Sequence, residues 1–486
     1  MLGFQVEIEK ATRGVTSFGG LVLVLETMRA VLRKTEFRRL AKAVGLRSWR
    51  TARRHFETLV LLVTSGGEVL SDVDVLRGDP GLWRLLGFKP SSATQLKEFL
   101  YSFHQGEDGK RLGSKADGEL AVRGEARIRP EGPGLVVLGE MLGALAVRLQ
   151  AVHQRRTATM DVDATILEAS KEYALWTYKG MKGYQPQAAW WAEQRVFVRD
   201  EYRDGNVPAE YRIADFLKKT FGGLPGSVVR RRLRGDSALY NEEALTWADS
   251  QGIEFAVSAD MSQELAREVR CLPESEWRPY RSEAGERDEG EAGKPDDERE
   301  WAEVCFVPDW ARNRKKGGEP FRYIAIRVRS RQLEMVQGEE GELLPRPPTW
   351  RHFAVVTNMD WVGDRLLRWQ REKQGTVEWG HDLVKNGLAA RIPPTGRFGA
   401  NAAFYRLTLI AHAVQRLLQV KALPDDLQDV EPKTLRFRLF RLAGRVVRSG
   451  RRLVLKLAES LPGAAIVVQA RRAIVALAME VAALPN

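Results

Sequence analysis

The sequence feature that most constrains the fold is a change of periodicity at Thr157. From about residue 20 to about residue 153, apolar residues recur at intervals of three and four, which is typical of amphipathic helices. The segment Thr157–Asp163 instead alternates as a β-strand does. Later segments predict strands at Ala174–Tyr178, Val196–Tyr202, Ser227–Leu233 and Ile253–Ser258, with helices at Arg212–Thr220 and Asn241–Gln251. Strands in succession, then alternating with helices, predict an α/β fold with a mixed sheet covered by helices.

The first part of the chain, residues 1–155, is predicted to be a helical DNA-binding region with two segments that resemble helix-turn-helix units. The first runs from Phe37 to Phe56, with Ala41 and Gly45 at the corner and four arginines on its second helix, Arg47, Arg50, Arg53 and Arg54. The second runs from Leu82 to Phe103, where Ser92 and Gln95 form a capping pair after a Gly-Phe-Lys-Pro break. Ordinary helical hairpins have the same pattern, so both interpretations stay open.

The remaining chain is divided into four predicted segments. Residues 156–262 are predicted to form the first part of the mixed α/β core, 263–350 a β-rich insertion, 351–432 the second part of the core, and 433–486 a basic helical C-terminal segment. Within the insertion, the acidic, Gly-rich stretch Arg281–Glu300 predicts a solvated loop, and Val304–Val307, Arg322–Val328 and His352–Thr357 predict strands of an inserted sheet. The chain is predicted to be helical from Trp361 onwards.

Basic residues exceed acidic ones throughout the chain. The formal charge is +12 and the pI about 9.6, as expected of a protein that approaches phosphates, although a basic soluble protein without a nucleic-acid partner has the same balance. The segment Leu435–Lys456 has eight basic residues among apolar ones, which predicts an amphipathic basic helix suited to DNA, or a merely solvated face. The apolar run Leu21–Leu25 is too short for a membrane span. We therefore expect a cytoplasmic, nucleoid-associated protein without membrane contact.

Three acidic residues stand where strand or helix ends are predicted. Asp163 ends the first strand, with Asp161 on the same face; two such acids are costly unless solvated or metal-bound. Asp236 follows a strand and Gly235, a position that also suits a helix N-cap. Glu378 lies in a basic helical run, where an ordinary surface ion pair is the alternative. Carboxylates of this kind can hold two Mg²⁺ ions for phosphodiester chemistry.

Several short motifs occur together in a characteristic order. Asp163-Ala-Thr165 lies on the first strand, Gly235-Asp236-Ser237 follows the fourth, and Glu378 precedes Lys385 by seven positions. Additional markers are Lys179-Gly180, Lys182-Gly183-Tyr184-Gln185-Pro186, Glu201, Arg203, Gly205-Asn206, the extension to Ala238-Leu239-Tyr240, and Arg397-Phe398-Gly399-Ala400-Asn401. In order and spacing the chain resembles the RNase H-like DDE transposases of insertion sequences, and most closely the insertion-sequence 1380 family, over nearly its whole length.

The resemblance implies an RNase H-like mixed sheet flanked by helices, in which Asp163, Asp236 and Glu378 are catalytic and bind two Mg²⁺ ions, with Mn²⁺ as a substitute. Lys385 then grips a phosphate near the transposon end. The interval of 378 − 236 = 142 residues fits the β-rich insertion of related transposases. The wider group has Tyr seven and Arg four residues before the Glu, where this chain has Arg371 and Gln374. Arg371 or Lys373 replaces the missing cation, and Gln374 can hydrogen-bond a phosphate.

The implied activity is cutting of double-stranded DNA at inverted-repeat transposon ends and joining of the 3′-hydroxyl to target DNA, with a homodimer on the DNA. Two alternatives remain. One is a catalytically inactive transposase descendant that binds DNA; the other is an RNase H-like nuclease without strand transfer. Near Glu378, Trp361, Trp369 and Trp379 predict either core packing or stacking on an unpaired base.

Overall fold

A computed structural model provides the fold of the chain. It describes residues 14–120, 125–281, 295–312, 321–329, 335–337, 343–345 and 350–484. Over these ranges the protein is a mixed α/β structure, with one large sheet and many helices. This confirms the predicted fold class at the level of a helix-covered mixed sheet.

The N-terminal part is helical, as its periodicity predicts. Its elements are β1 (Val15–Thr16), α1 (Val22–Val31), α2 (Lys34–Ala43), α3 (Trp49–Ser65), α4 (Val73–Arg77), α5 (Pro80–Leu86), α6 (Ala93–Tyr101), α7 (Ala116–Leu120) and α8 (Pro133–Val152). Gly45, with φ +70°, lies in the turn between α2 and α3, where a residue without Cβ is favoured. Ser92 and Gln95 form the predicted capping box of α6. Both helix pairs therefore exist, and whether they contact DNA stays a prediction.

Helix α8 alone among the described helices is long and apolar enough to pass a composition test for a membrane span. More than half of its apolar window is buried inside the protein. It packs against strand and helix elements of the core, as a core helix of a soluble protein does.

The central sheet begins at the predicted strand. Its surroundings comprise β2 (Thr157–Ala164), β3 (Leu167–Glu168), β4 (Leu175–Trp176), β5 (Lys182–Tyr184), β6 (Gln187–Trp191), β7 (Val196–Glu201), α9 (Ile213–Gly222), β8 (Arg230–Gly235), α10 (Glu242–Ser250) and β9 (Glu254–Ser258). β2 pairs antiparallel with β6 and parallel with β8; β6 pairs antiparallel with β7, and β8 parallel with β9. β3, β5 and β4 form a separate three-stranded sheet. In the sequence these strands lie between β2 and β6.

The predicted inserted sheet is instead an extension of the central one. The chain continues through α11 (Gln263–Arg270), β10 (Arg278–Arg281), β11 (Pro295–Val304), α12 (Asp309–Arg312), β12 (Arg322–Arg329), β13 (Met335–Gln337), β14 (Leu343–Pro345) and β15 (Trp350–Thr357). β15 pairs with β9, so one nine-stranded sheet runs in the order β10-β11-β12-β15-β9-β8-β2-β6-β7. The loop predicted at Arg281–Glu300 is wrong for residues 295–300, which are strand; residues 282–294 lie outside the described residues.

The last part of the chain is only partly helical. It contains α13 (Gly363–Asp382), a π-helical turn at Leu383–Gly387, α14 (Phe398–Ala422), α15 (Asp425–Gln428), α16 (Pro432–Leu435), a second π-helical turn at Arg436–Phe440, β16 (Gly444–Ser449), β17 (Arg452–Leu457) and α17 (Pro462–Ala482). The predicted basic helix over Leu435–Lys456 is therefore wrong, because most of it is a β-hairpin. Leu453, Leu455 and Leu457 alternate with period two, and Gly450 has φ +58° in the turn.

Helix α14 is the centre of the molecule. It is buried on nearly all sides, between the N-terminal helices α1, α3, α6 and α8, strand β7 and the C-terminal helix α17. One continuous apolar core contains residues from Phe18 to Val481. All five predicted segments contribute to it. Helices from both ends of the chain thus pack around α14.

Candidate active site

Asp163 lies at the carboxyl end of β2, on the side of the sheet covered by α13. Its side chain is 19% exposed, and its Oδ1 accepts a hydrogen bond of 3.3 Å from Lys373 Nζ. Burial, opposed by the ammonium of Lys373 and aided by the charges of Asp236 and Glu378, raises the pKa of Asp163 to about 6. A perturbed carboxyl of this kind marks the strand end as a candidate functional site.

Asp236 reaches the same point from the neighbouring parallel strand. It follows β8 directly, and its Oδ2 accepts a hydrogen bond of 3.2 Å from Lys373 Nζ. Its Oδ1 accepts from the backbone N–H of Ala238 at 3.1 Å, so the N-cap interpretation of this residue also holds. A Cβ at Gly235 would come within 2.5 Å of Leu239, which explains why a glycine precedes the acid.

Lys373 joins the two aspartates. Its side chain is 8% exposed and projects from α13 between the ends of β2 and β8. Burial lowers the pKa of Lys373, but Asp163 and Asp236 together raise it above its ordinary value, so the side chain is an ammonium ion. The structure thus places Lys373 against the acids, and its predicted contact with a DNA phosphate stays a prediction.

Glu378 lies on α13, five residues after Lys373, and is exposed. Its charge contributes to raising the pKa of Asp163, which puts it within electrostatic reach of the two aspartates. Among the residues that the structure describes, no group of three His, Cys, Asp or Glu side chains is close enough to hold a metal ion. The structure therefore brings Asp163 and Asp236 together, with Glu378 nearby on a separate element, and the three-carboxylate metal site stays a prediction.

The other predicted DNA-binding residues lie along and after α13. Lys385 is half-buried in the π-helical turn; burial lowers its pKa, Asp163 raises it, and Lys179 lowers it further. Lys385 also lines a surface cavity that contains Arg391 and Arg436. Gln374 is exposed four residues before Glu378, on the same helical face, and Arg371 lies near Tyr280 of β10.

A buried ion pair beneath the site is absent from the sequence-based prediction. Asp161 is fully buried and accepts two hydrogen bonds from Arg234, at 2.7 and 2.9 Å, so it is neither solvated nor placed to bind a metal. Arg234 also donates to Glu372 and to the Trp369 carbonyl of α13, and Thr376 donates to Asp161. The pair fixes β2, β8 and α13 relative to one another. Its signal in the sequence is spacing, because Asp161 and Arg234 each stand two residues before one of the candidate catalytic aspartates, Asp163 and Asp236.

His381 is a second residue that the sequence-based prediction missed. It is fully buried on α13, with Nε2 3.8 Å from Asp163 Oδ2 and its ring against Phe197. Burial, with the charges of Lys385 and Lys373, lowers its pKa to about 3, so the imidazole is neutral. Neither ring nitrogen has a hydrogen-bond partner within the described part of the chain. Its position three residues after Glu378, on one helical face, is the signal that could have identified it.

Several of the sequence markers contact one another in the interior of the protein. Tyr184 and Asn401 meet at 3.5 Å, and Phe398 packs beneath the guanidinium of Arg129 at 4.3 Å. Arg129 in turn makes a two-point ion pair with buried Asp204. These residues connect the small sheet, α14 and the segment before α8, which accounts for their presence without a role in chemistry.

Comparison with known proteins identifies the class and then the family. A family model described as "Transposase DDE domain group 1" matches residues 2–479. The protein is thus a DDE transposase, a class of enzymes that cut and transfer DNA and generally use divalent metal ions. Within that class, it belongs to the transposase DDE domain group 1 family.

Two further comparisons give less. Among solved structures, a cryo-EM structure of the piggyBac transposase synaptic complex with hairpin DNA matches with 10% sequence identity and a TM-score of 0.46, over 98% of this chain and 88% of that chain. No curated protein matches the sequence.

Proposed function

We propose that the protein cuts DNA at transposon ends and joins the freed 3′-hydroxyl to target DNA, with Asp163, Asp236 and Glu378 as the catalytic acids. The observation that carries this proposal is the shared cation: Lys373 Nζ lies 3.3 Å from Asp163 and 3.2 Å from Asp236. Two carboxylates from adjacent parallel strands therefore converge on one positively charged atom. In a transposase with a net charge of +12, that convergence fits phosphoryl transfer.

The strand order supports an RNase H-like core. β7, β6 and β2 form an antiparallel meander, and β8 and β9 continue parallel to β2, with the remaining strands added beyond β9. In this arrangement Asp163 and Asp236 end neighbouring strands, and the strands before α13 separate Glu378 from them in sequence. We also propose membership of the insertion-sequence 1380 family, on the sequence markers described above.

The residues present fit divalent metal ions. Asp163, Asp236 and Glu378 offer the hard oxygen donors that Mg²⁺ and Mn²⁺ prefer, and two of these carboxylates already share a cation. Two bound Mg²⁺ ions supply a deprotonated nucleophile and neutralise charge on the reacting phosphate. The chain's own residues complete the site. Lys385 and the exposed Gln374 bind phosphate oxygens, Arg371 adds charge, and the Asp161–Arg234 pair holds the strand ends and α13 in register.

The proposed partners are the inverted-repeat ends and the target DNA, both double-stranded. A single centre of this kind acts on successive strands, and two ends must be held together, so we propose a homodimer on DNA in the cytoplasm, associated with the nucleoid. The proposed surfaces for DNA contact are helices α2 and α3 and the basic hairpin β16–β17. Arg47 lies just before α3, and Arg50 lies in its first turn.

The test is Asp236→Asn. Because only the ligand field of the site changes, we expect Mg²⁺-dependent cleavage of end DNA to be lost, with end binding retained within about two-fold. Asp74→Asn, an equal change at an exposed helical aspartate, is the control and should cut normally. Normal cutting by the Asp236 variant would remove Asp236 from the site.

One observation favours an inactive, DNA-binding descendant as the second candidate. The ammonium of Lys373 neutralises the same two carboxylates that are proposed to bind metal, and Gln374 stands where related transposases have a cation. Excision from a donor plasmid separates the two. An active transposase releases the element, whereas the inactive descendant binds the ends and leaves the plasmid intact.

A further inference from the structure

The turn that connects β4 and β5 exposes two aromatic rings to solvent. We call residues 175–183 the aromatic hairpin. Trp176 is 62% exposed and Tyr178 77% exposed. A lysine accompanies each ring: Lys182 Nζ lies 5.9 Å from the Trp176 ring and Lys179 Nζ lies 5.7 Å from the Tyr178 ring. Single exposed apolar residues need no partner, but two mostly exposed rings grouped with two lysines on one turn form a candidate binding surface.

The aromatic hairpin is rigid. The Thr177 backbone N–H and hydroxyl both donate to the Met181 carbonyl, at 2.8 and 2.9 Å, and Gly180 turns the chain with φ +73°. Behind it, Gly205 packs so closely that a Cβ there would lie 2.6 Å from the carbonyl oxygens of Leu175 and Gly183. These contacts order the backbone that carries the two rings.

The aromatic hairpin belongs to the neighbourhood of the acids. It begins 175 − 164 = 11 residues after the end of β2, the strand that ends beside Asp163, and is followed by β6, where Gln187 pairs with Ala164. Lys182 stands five residues before Gln187, a reach of at most about 17 Å along the chain. Burial has the largest effect on the pKa of Lys385 and lowers it. The charge of Asp163 raises this pKa and the charge of Lys179 lowers it, so Asp163 and the aromatic hairpin both lie within electrostatic reach of Lys385.

The tryptophans near Glu378 are occupied in packing. Trp369 is 9% exposed and packs against Trp361 at a ring separation of 5.6 Å, and Trp379 packs edge-on against Trp190 at 6.0 Å. Of the two interpretations that the sequence left open for these three residues, core packing is the one the structure supports. The two rings of the aromatic hairpin, in contrast, are mostly exposed.

We propose that the aromatic hairpin holds a DNA strand whose bases are unpaired beside the cleavage point, with Trp176 and Tyr178 stacked on the bases and Lys179 and Lys182 bound to the adjoining phosphates. This rests on the proposed function. In an intact duplex the bases are stacked on each other and offer no free face, so lysines alone would suffice; the two rings are what an opened strand needs. Each ring of the aromatic hairpin has a lysine beside it, as each base of an opened DNA strand has a phosphate.

The test compares two short duplexes that share one strand, one fully paired and one whose second strand makes a mismatched stretch at the centre, with 2-aminopurine in that stretch. Binding is measured with the full chain carrying Asp236→Asn, so that no cutting occurs. We expect tighter binding to the mismatched duplex, with quenched 2-aminopurine fluorescence. Each ring should contribute about five-fold or more, so Trp176→Ala with Tyr178→Ala should abolish the preference and the quenching.

Matched variants make the result specific. Trp176→Phe with Tyr178→Phe keeps stacking surfaces and should retain the preference. Phe353→Ala removes an exposed ring on β15, three strands away from β2, and should behave like the parent. An equal affinity of the parent for both duplexes, or an unchanged preference in the alanine variant, would overturn the proposal. Failure of the proposed function looks different, because the protein with Asp236 intact then cuts no DNA when Mg²⁺ is added.

Discussion

At the scale of single residues, the site is governed by the competition for two carboxylates. Lys373 Nζ lies 3.3 Å from Asp163 and 3.2 Å from Asp236, of which Asp163 is mostly buried and Asp236 is half exposed. A metal ion at the proposed site would compete with this ammonium for the same oxygens. Under the proposed function, Lys373 would therefore both hold the two carboxylates together and weaken metal binding.

Lys373→Gln tests this competition. Without the ammonium, the two carboxylates face each other unneutralised, so the variant should melt at a lower temperature than the parent in the presence of a chelator. Mg²⁺ should then stabilise the variant by about 2.7 kcal/mol at one hundred times its dissociation constant, and should stabilise the parent less because Lys373 competes for the same oxygens. Thermal melting with and without Mg²⁺ measures the difference.

The control for that experiment is Lys421→Gln, which removes a lysine that pairs with Glu480 far along the chain. It should respond to Mg²⁺ as the parent does. An equal Mg²⁺ response of Lys373→Gln and the parent would contradict a shared binding position for the ammonium and the metal.

Residue identity alone allowed the acids to be predicted but not their neighbours. Asp163 and Asp236 could be found because each ends a recognisable strand and lies in a short marker. The roles of Asp161 and Lys373 could not, since both depend on which strands become adjacent: Asp161 meets Arg234 only because β2 and β8 pair in parallel register. A carboxylate next to a catalytic one looks the same in sequence whether it binds metal or an arginine.

At the scale of secondary-structure elements, the Asp161–Arg234 pair is the connection between two strands and α13. Arg234→Met should destabilise the fold by about 3 to 5 kcal/mol, because it leaves a fully buried carboxylate without its counter-ion. Adding Asp161→Leu should recover part of this loss, since the unpaired charge is then gone. Denaturant unfolding of the single and double variants measures both effects.

A neighbouring arginine on the same strand is the comparison for that experiment. Arg232 pairs with the half-exposed Glu254, so Arg232→Met should cost about 1 kcal/mol or less. If Arg234→Met were as mild, the buried pair would not be what fixes α13 over the strand ends.

The basic hairpin β16–β17 is an element whose cations face solvent together. Arg445 lies opposite Lys456, and Arg452 lies two residues along from Val454 on the same face, while Val446 on the other face is buried. None of these three cations has a carboxylate partner among the described residues. Replacing all three by Gln should lower the salt dependence of DNA binding, with the slope of log K against log salt reduced by up to about 2.7.

A charge-matched variant separates phosphate contact from net charge. Lys433, Arg438 and Arg471 are also basic and exposed, but each already pairs with a carboxylate. Their triple Gln replacement changes the net charge equally and should leave the slope within about one unit of the parent. Equal slopes for both triple variants would show that the hairpin has no particular part in binding.

Elements with clear periodicity were predictable, and those with mixed signals were not. β2, β7, β9, α9 and α10 were predicted within a few residues of their observed bounds. β6 was missed because Gln187–Trp191 is buried on both faces and shows no alternation. The basic hairpin was taken for a helix because its arginines fit a helical spacing, although the leucines of β17 alternate as strand residues do.

At the scale of the whole molecule, the five predicted segments share their interior. Gln415 of α14 donates to Thr64 of α3 at 3.2 Å, and Arg406 donates to the Leu135 carbonyl of α8 at 2.6 Å. Arg33, at the start of α2, reaches the Leu484 carbonyl after α17 at 2.8 Å. Such contacts between distant parts of the chain leave no trace in local periodicity, which explains why segment boundaries read from the sequence do not correspond to independent cores.

The shared interior predicts that residues 1–155 will not fold alone. In that fragment α1, α3 and α8 lose α14, and α1 also loses α17, so apolar faces that are buried in the full chain become exposed to water. We expect the fragment to aggregate or to unfold without a sharp transition in circular dichroism, whereas the full chain melts cooperatively. Co-expression with residues 156–486 should restore solubility, because it returns α14 and α17. A sharply melting, soluble fragment would instead establish residues 1–155 as a separable domain, and the contacts of Gln415 and Arg406 as a loose interface between two folded parts.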